Sequence, residues 1–146
     1  MNNYRKHERG QASLVFIASL VIIMAAFTLL VDGGRYLVMR NRARMMADAS
    51  ALSGAGMLDV EKAQEGDFIL DRDLANEYVE TVYFQNYLDK PDWADYQLQE
   101  VRVSGNEIWV TIAGTSIPLF GSNLGLNYSV TIVSSARAAS GISSER

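Results

Sequence analysis

Residues Ala12 to Val31 form a block of twenty without one charge, interrupted in polarity only by Ser13, Ser19 and Thr28. As a helix rising about 1.5 Å per residue, it spans roughly 30 Å, the thickness of a bilayer's hydrocarbon core. A removable signal peptide has a shorter apolar region, about 7–15 residues, followed by a small-residue cleavage site. Here the block ends in Val31-Asp32-Gly33-Gly34-Arg35 instead. A chain of 146 residues also holds too little protein to surround twenty apolar residues on every side. The block therefore reads as a transmembrane helix, with residues 1–11 as a basic leader and 32–146 as an outer domain.

Charge is distributed around this block. Arg5, Lys6 and Arg9 precede it, and Arg35, Arg40, Arg42 and Arg44 follow it. From Asp59 to Glu107, thirteen acidic residues stand against four basic ones, a balance that disfavours nucleic acid as a partner. Because basic residues flank both ends, the positive-inside rule alone leaves orientation open. The long acidic C-terminal part tips the reading to a cytoplasmic N-terminus and an outer C-terminal domain.

Beyond the block, Arg35 to Met57 contains no proline and is rich in Ala, Leu, Met and Arg, so the helix is expected to continue outward. Tyr36, Met39, Ala43, Met46 and Ala47, with Ser50, recur at three- and four-residue spacing and predict a packing face. Arg40, Arg44 and Asp48 form a second row, turned to water or lipid headgroups, with Arg44 and Asp48 as i,i+4 partners. Gly33-Gly34 marks the point where a kink or break is easiest. Met39, Met45, Met46 and Met57 are expected to fill gaps in a core rather than to line a partner groove.

Gly54 to Asp71 reads as a loop. A second, amphipathic helix is predicted over Asp73–Leu88, with Asp73 as N-cap and Leu74, Ala75, Tyr78, Val79, Val82 and Tyr83 as its apolar stripe. Val101 and Val103, the turn Ser104-Gly105-Asn106-Glu107, and Ile108, Val110 and Ile112 spell a hairpin. Tyr128, Val130, Ile132, Ser134 and Ala136 share one face of a third strand. The expected fold class is α+β: a long helix, a second helix, and a three-stranded antiparallel meander that needs the helices as cover.

The sequence offers little for catalysis. With no cysteine there is neither a thiolate metal site nor a cysteine nucleophile, and the lone histidine, His7, belongs to the leader. Asp89, Asp92 and Asp95 lack the alternate-residue spacing and terminal glutamate of a calcium loop. Glu61, Glu65, Glu77 and Glu80 read as a soluble surface. No catalytic residue, cofactor, metal or small-molecule substrate is assigned.

Three segments in order carry a resemblance: Glu8-Arg9-Gly10-Gln11 before the span, Val31-Asp32-Gly33-Gly34-Arg35-Tyr36 at its exit, and Ala47-Asp48-Ala49-Ser50-Ala51-Leu52-Ser53-Gly54-Ala55. Over Glu8 to Ala55 the chain resembles the TadE/TadG-like pilus-assembly proteins of bacterial Flp (Tad) pili, and its C-terminal half is similar in layout. The resemblance implies a pilin-like single-pass subunit of the bacterial cytoplasmic membrane, with other pilin-like subunits and a pilus assembly platform as partners. Its place would be in the pilus or at its base. The competing expectation is a membrane-tethered binding module, an adhesin or sensor subunit, outside any pilus. Gly10 and Gln11 are the candidate site for a prepilin-like peptidase. In type IV pilins a glutamate stands five residues into the mature chain, whereas the fifth residue counted from Gln11 is Val15. An ammonium on Gln11 would then lack its anion in an apolar core, which implies an accessory rather than a self-polymerising subunit.

Overall fold

The computed structural model describes residues 4–138. One helix dominates: α1 runs from Tyr4 to Ala55, 52 residues or about 78 Å. It passes through Gly33 and Gly34 without interruption, so the break considered at that point does not occur. Both glycines stand in open space, where an added Cβ would meet nothing within 4 Å, and nothing presses the backbone out of its helical course.

The segment expected to be a loop is more ordered. Asp59 accepts hydrogen bonds from the N–H groups of Glu61 and Lys62 and so caps a five-residue helix, α2 (Val60–Gln64). Leu58 and Leu70 form an isolated antiparallel bridge that closes the excursion. The next helix, α3 (Arg72–Leu88), is capped by Asp71, not Asp73. The Asp71 carboxylate receives the N–H groups of Asp73 and Leu74, at 3.0 and 3.1 Å. Asp73 sits in the first turn, where an acid still suits the positive end of the helix dipole. The buried stripe of α3 is narrower than expected. Ala75, Val79 and Tyr83 are buried, while Leu74 and Tyr78 are exposed.

Strands β1 (Ala94–Ser104), β2 (Glu107–Ser116) and β3 (Tyr128–Arg137) form an antiparallel sheet in the order β1-β2-β3. Gly105 adopts φ +61° in the two-residue turn between β1 and β2, where a side chain would be strained. β1 begins seven residues before Val101, much earlier than the alternation there suggests. A bulge between Leu98 and Glu100 inserts Gln99 and shifts the inward set from Ala94, Tyr96 and Leu98 to Val101 and Val103.

Such a sheet is not stable uncovered. Its inner face lies against the outer half of α1, and α3 packs beside α1 and β1. Ile108, Val110 and Ile112 are fully buried there, each contributing about 1.5–3 kcal/mol. The closest crossing is at Gly54. A Cβ there would come within 2.6 Å of Ile108 Cδ1 and 2.8 Å of Val79 Cγ2. Hence the small residues Ala47, Ser50, Ala51 and Gly54 fall on the one helix face that must approach both sheet and α3.

Candidate functional site

The packing residues anticipated on α1 all lie on one side. Met39, Ala43, Met46 and Ala47 are buried and Tyr36 is partly so, with the Tyr36 ring edge-on to Tyr128 of β3 at 5.9 Å. Of the methionines, Met39 and Met46 are core, Met57 is partly buried and Met45 is exposed. Gly10 and Gln11 lie within α1, while the side chains of Gln11 and His7 lie outside the described residues.

The rest of the outer helix is less polar than its arginines suggest. Arg44 and Asp48 pair at 3.8 Å as expected, and Asp48 also accepts from Ser134 Oγ at 2.6 Å, tying helix to β3. Val38, Met45 and Leu52, seven residues apart, are exposed on the face roughly opposite the sheet. They continue the seven-residue series of Ile17, Met24 and Val31, which winds about 20° per step around the helix. None of the apolar inner window of α1 is buried within the chain, and it is long and apolar enough to cross a membrane.

The most constrained polar group stands where these two halves meet. Asp32, the first residue past the apolar block, is only 2% exposed. Its Oδ1 accepts the Leu119 N–H at 2.7 Å and its Oδ2 the Gly121 N–H at 3.0 Å. The Phe120 N–H lies between them, 3.3 Å from Oδ2 and 3.4 Å from Oδ1. Three consecutive backbone N–H groups thus form an anion nest around one carboxylate. Burial on its own would raise the Asp32 pKa. The N–H groups of Gly121, Leu119 and Phe120, with the charge of Arg35, outweigh it and hold the carboxyl below its ordinary range.

Arg35, one turn on, lies 5.4 Å from the Trp93 ring centre and donates to the Ile117 carbonyl. Ile117 N–H in turn donates to Trp93 O at 3.0 Å. Asp32 and Arg35 therefore fasten the β2–β3 connection and the start of β1 to the helix exit. Sequence reading registers this pair as a motif but misses its partners, since Leu119, Phe120 and Gly121 lie 87 to 89 residues away.

Two further aspartates have partners. Asp95 pairs with Lys90 at 2.6 Å and accepts from Tyr87 Oη at 3.1 Å, while Asp89 faces Arg42 at 3.5 Å. The Lys90 hydrogen bond is the main cause that lowers the Asp95 pKa, and Asp95 in turn raises that of Lys90. An open cleft of about 600 Å³ lies between α3 and β1, lined by Tyr83, Phe84, Tyr87, Asp95, Tyr96 and Leu98. The Tyr83 hydroxyl is committed to Tyr96 O at 2.7 Å. Glu61, Glu65, Glu77 and Glu80 are exposed. Among the described residues no group of three or more His, Asp or Glu side chains is placed to hold a metal ion.

Residues 10–57 match the family model Tad, whose description is "Putative Flp pilus-assembly TadE/G-like". The match covers the apolar helix, the Asp32–Arg35 exit and the small-residue face ending just past Gly54. Among characterised proteins and solved structures, none matches the chain significantly.

Proposed function

We propose, for a chain that belongs through residues 10–57 to the TadE/TadG-like family of Flp pilus-assembly proteins, a specific part in that machinery: a membrane-anchored, pilin-like accessory subunit. Residues 1–11 form its cytoplasmic leader, 12–31 its single span in the bacterial cytoplasmic membrane, and 32–146 its extracytoplasmic domain. Its role is assembly rather than catalysis, with other pilin-like subunits and the assembly platform as partners. The observation that carries this reading is the division of α1. One face of its outer half is committed to the chain's own sheet, while Val38, Met45 and Leu52 are exposed and continue apolar surface outward from the lipid-compatible inner half. A helix of this kind can exchange lipid contacts for contacts with a like helix without unpacking its domain.

Cross-linking tests it. A photoreactive residue at Met45, in cells that assemble the pilus, should yield adducts with other pilin-like subunits or platform proteins, and one at the buried Ala43 should not. Recovery of no pilus component from Met45 would leave a plain membrane tether. Orientation is read separately: a Cys in place of Glu77 should react with an impermeant maleimide in spheroplasts.

A further inference from the structure

The β2–β3 connection contains an apolar cluster that the domain does not bury. Ile117, Leu119, Phe120 and Leu126 are 59%, 50%, 43% and 47% exposed. From Ser116 to Ala136 the sequence has no charged residue, in a domain whose surface is otherwise strongly acidic. The connection is not a loose tether. Leu126 N–H returns to Gly121 O at 3.1 Å, and the Gly121 backbone lies against Pro118 and Leu126.

Its position along the molecule is set by Asp32. The three N–H groups at Leu119, Phe120 and Gly121 converge on the carboxylate of the first residue past Val31, so the backbone that carries the cluster is hydrogen-bonded to the helix at the end of the apolar block. Trp93 with Arg35, and Tyr36 with Tyr128, stand about one helical turn further out. These are residue types that settle at the boundary between headgroups and acyl chains.

We infer that residues 117–126 form a second membrane contact: the exposed apolar side chains of this connection enter the interfacial layer of the leaflet from which α1 emerges. Asp32 is the positioning residue that holds them there. Its carboxylate needs no place in the lipid, because its acceptor positions are filled by backbone N–H groups. An interfacial segment of this sort reaches about 5–10 Å into the headgroup and acyl boundary. The contact fixes the tilt and rotation of the outer domain on its anchor, and with them the direction in which Val38, Met45 and Leu52 face. The inference rests on the membrane reading of Ala12–Val31 and is independent of any pilus.

The chain has no native cysteine, so single labels are clean. Full-length protein carrying a polarity-sensitive fluorophore at Phe120→Cys, Ile117→Cys, Glu77→Cys or Ile22→Cys is reconstituted at high dilution in phosphatidylcholine vesicles, with and without lipids brominated near the headgroup end of their chains, which report on positions 120, 117 and 77, or near the methyl end, which report on position 22. The expected result is blue-shifted emission, quenched by brominated lipid, at positions 120 and 117, and unquenched emission at 77. Lipid quenching at Ile22→Cys with none at 120 or 117 overturns the inference and leaves the span standing. No quenching at Ile22→Cys removes the span itself, and the inference with it. A blue shift at 120 that follows protein density rather than bromination assigns the cluster to a second copy and also overturns the proposal. In Asp32→Asn, quenching at 120 should fall while that at 22 persists; unchanged quenching at 120 would strip Asp32 of its positioning role.

Discussion

The two halves of α1 answer to different solvents. In the inner half apolar residues occupy every side of the helix, and none of that window is buried within the chain. In the outer half, past Asp32, burial is confined to Met39, Ala43, Met46, Ala47, Ser50, Ala51, Gly54 and Ala55, spaced by three, four or one, and the closest crossing falls on a glycine. A lipid environment demands apolarity all round and does not discriminate among side chains by shape. A sheet on one side demands the reverse, small residues at stated positions with freedom elsewhere. The lesson is that the same helix should tolerate changes of shape in one half and changes of charge on the outward face of the other.

The largest contrast comes from charge. Replacing Ile22 and Ile23 together with Arg should block membrane insertion, each costing roughly 2.5–3.5 kcal/mol at the centre of a span. The variant should move to the soluble or aggregated fraction on alkaline extraction. Val110→Asp in the sheet facing the outer half should cost at least about 3 kcal/mol by burying an unpaired charge, and so expose the outer domain to protease. Its membrane fractionation should be unchanged, because the anchor does not depend on the sheet.

Glycine sharpens the comparison further. Gly54→Ala forces a methyl group against Ile108 and Val79 and should lower domain stability by about 1–3 kcal/mol in denaturant titration. Gly34→Ala, in open space on the same helix, should have the opposite sign and add up to about 1 kcal/mol.

The smallest effect is in pH. Asp32 and Asp95 have folded-state pKa values below the ordinary carboxylate value of about 3.9. Their contribution is therefore complete above that value and lost as pH falls through their lower folded values. Lys90 is raised, so its contribution is complete below about 10.4 and lost as pH climbs through its folded value. Thermal unfolding in detergent should show a plateau between these limits, and Asp32→Asn should flatten part of the acid limb.

How much of this is legible in sequence depends on the distance over which each feature is decided. The hairpin at Val101–Ile112 and the third strand follow from two-residue alternation, which a sheet with one covered face imposes locally. The start of β1 does not, because Gln99 in the bulge reverses the parity and makes one strand look like two unrelated fragments. The Asp71 cap eludes a reading centred on Asp73 because either acid can cap; what selects Asp71 is its extended backbone, φ −73° and ψ 113°. Gly33-Gly34 suggests a weak point through intrinsic propensity, yet α1 continues through it. The exit motif stands plainly in the sequence as Asp32-Gly33-Gly34-Arg35, but its meaning lies in backbone groups on the far side of the chain. No local rule connects a carboxylate to the N–H groups of residues 119 to 121.

That separation also sets a schedule. Asp32 and its last partner, Gly121, are 89 residues apart, which at about 5–20 residues per second is roughly 4–18 s of synthesis. Throughout that interval the helix exists before the nest that receives its aspartate, and before the sheet that covers Met39, Ala43, Met46 and Ala47. The outer domain therefore completes itself late, around a helix made early. During those seconds the face later buried against the sheet has no sheet to cover it, so the contact that organises the finished domain is among the last that the helix makes.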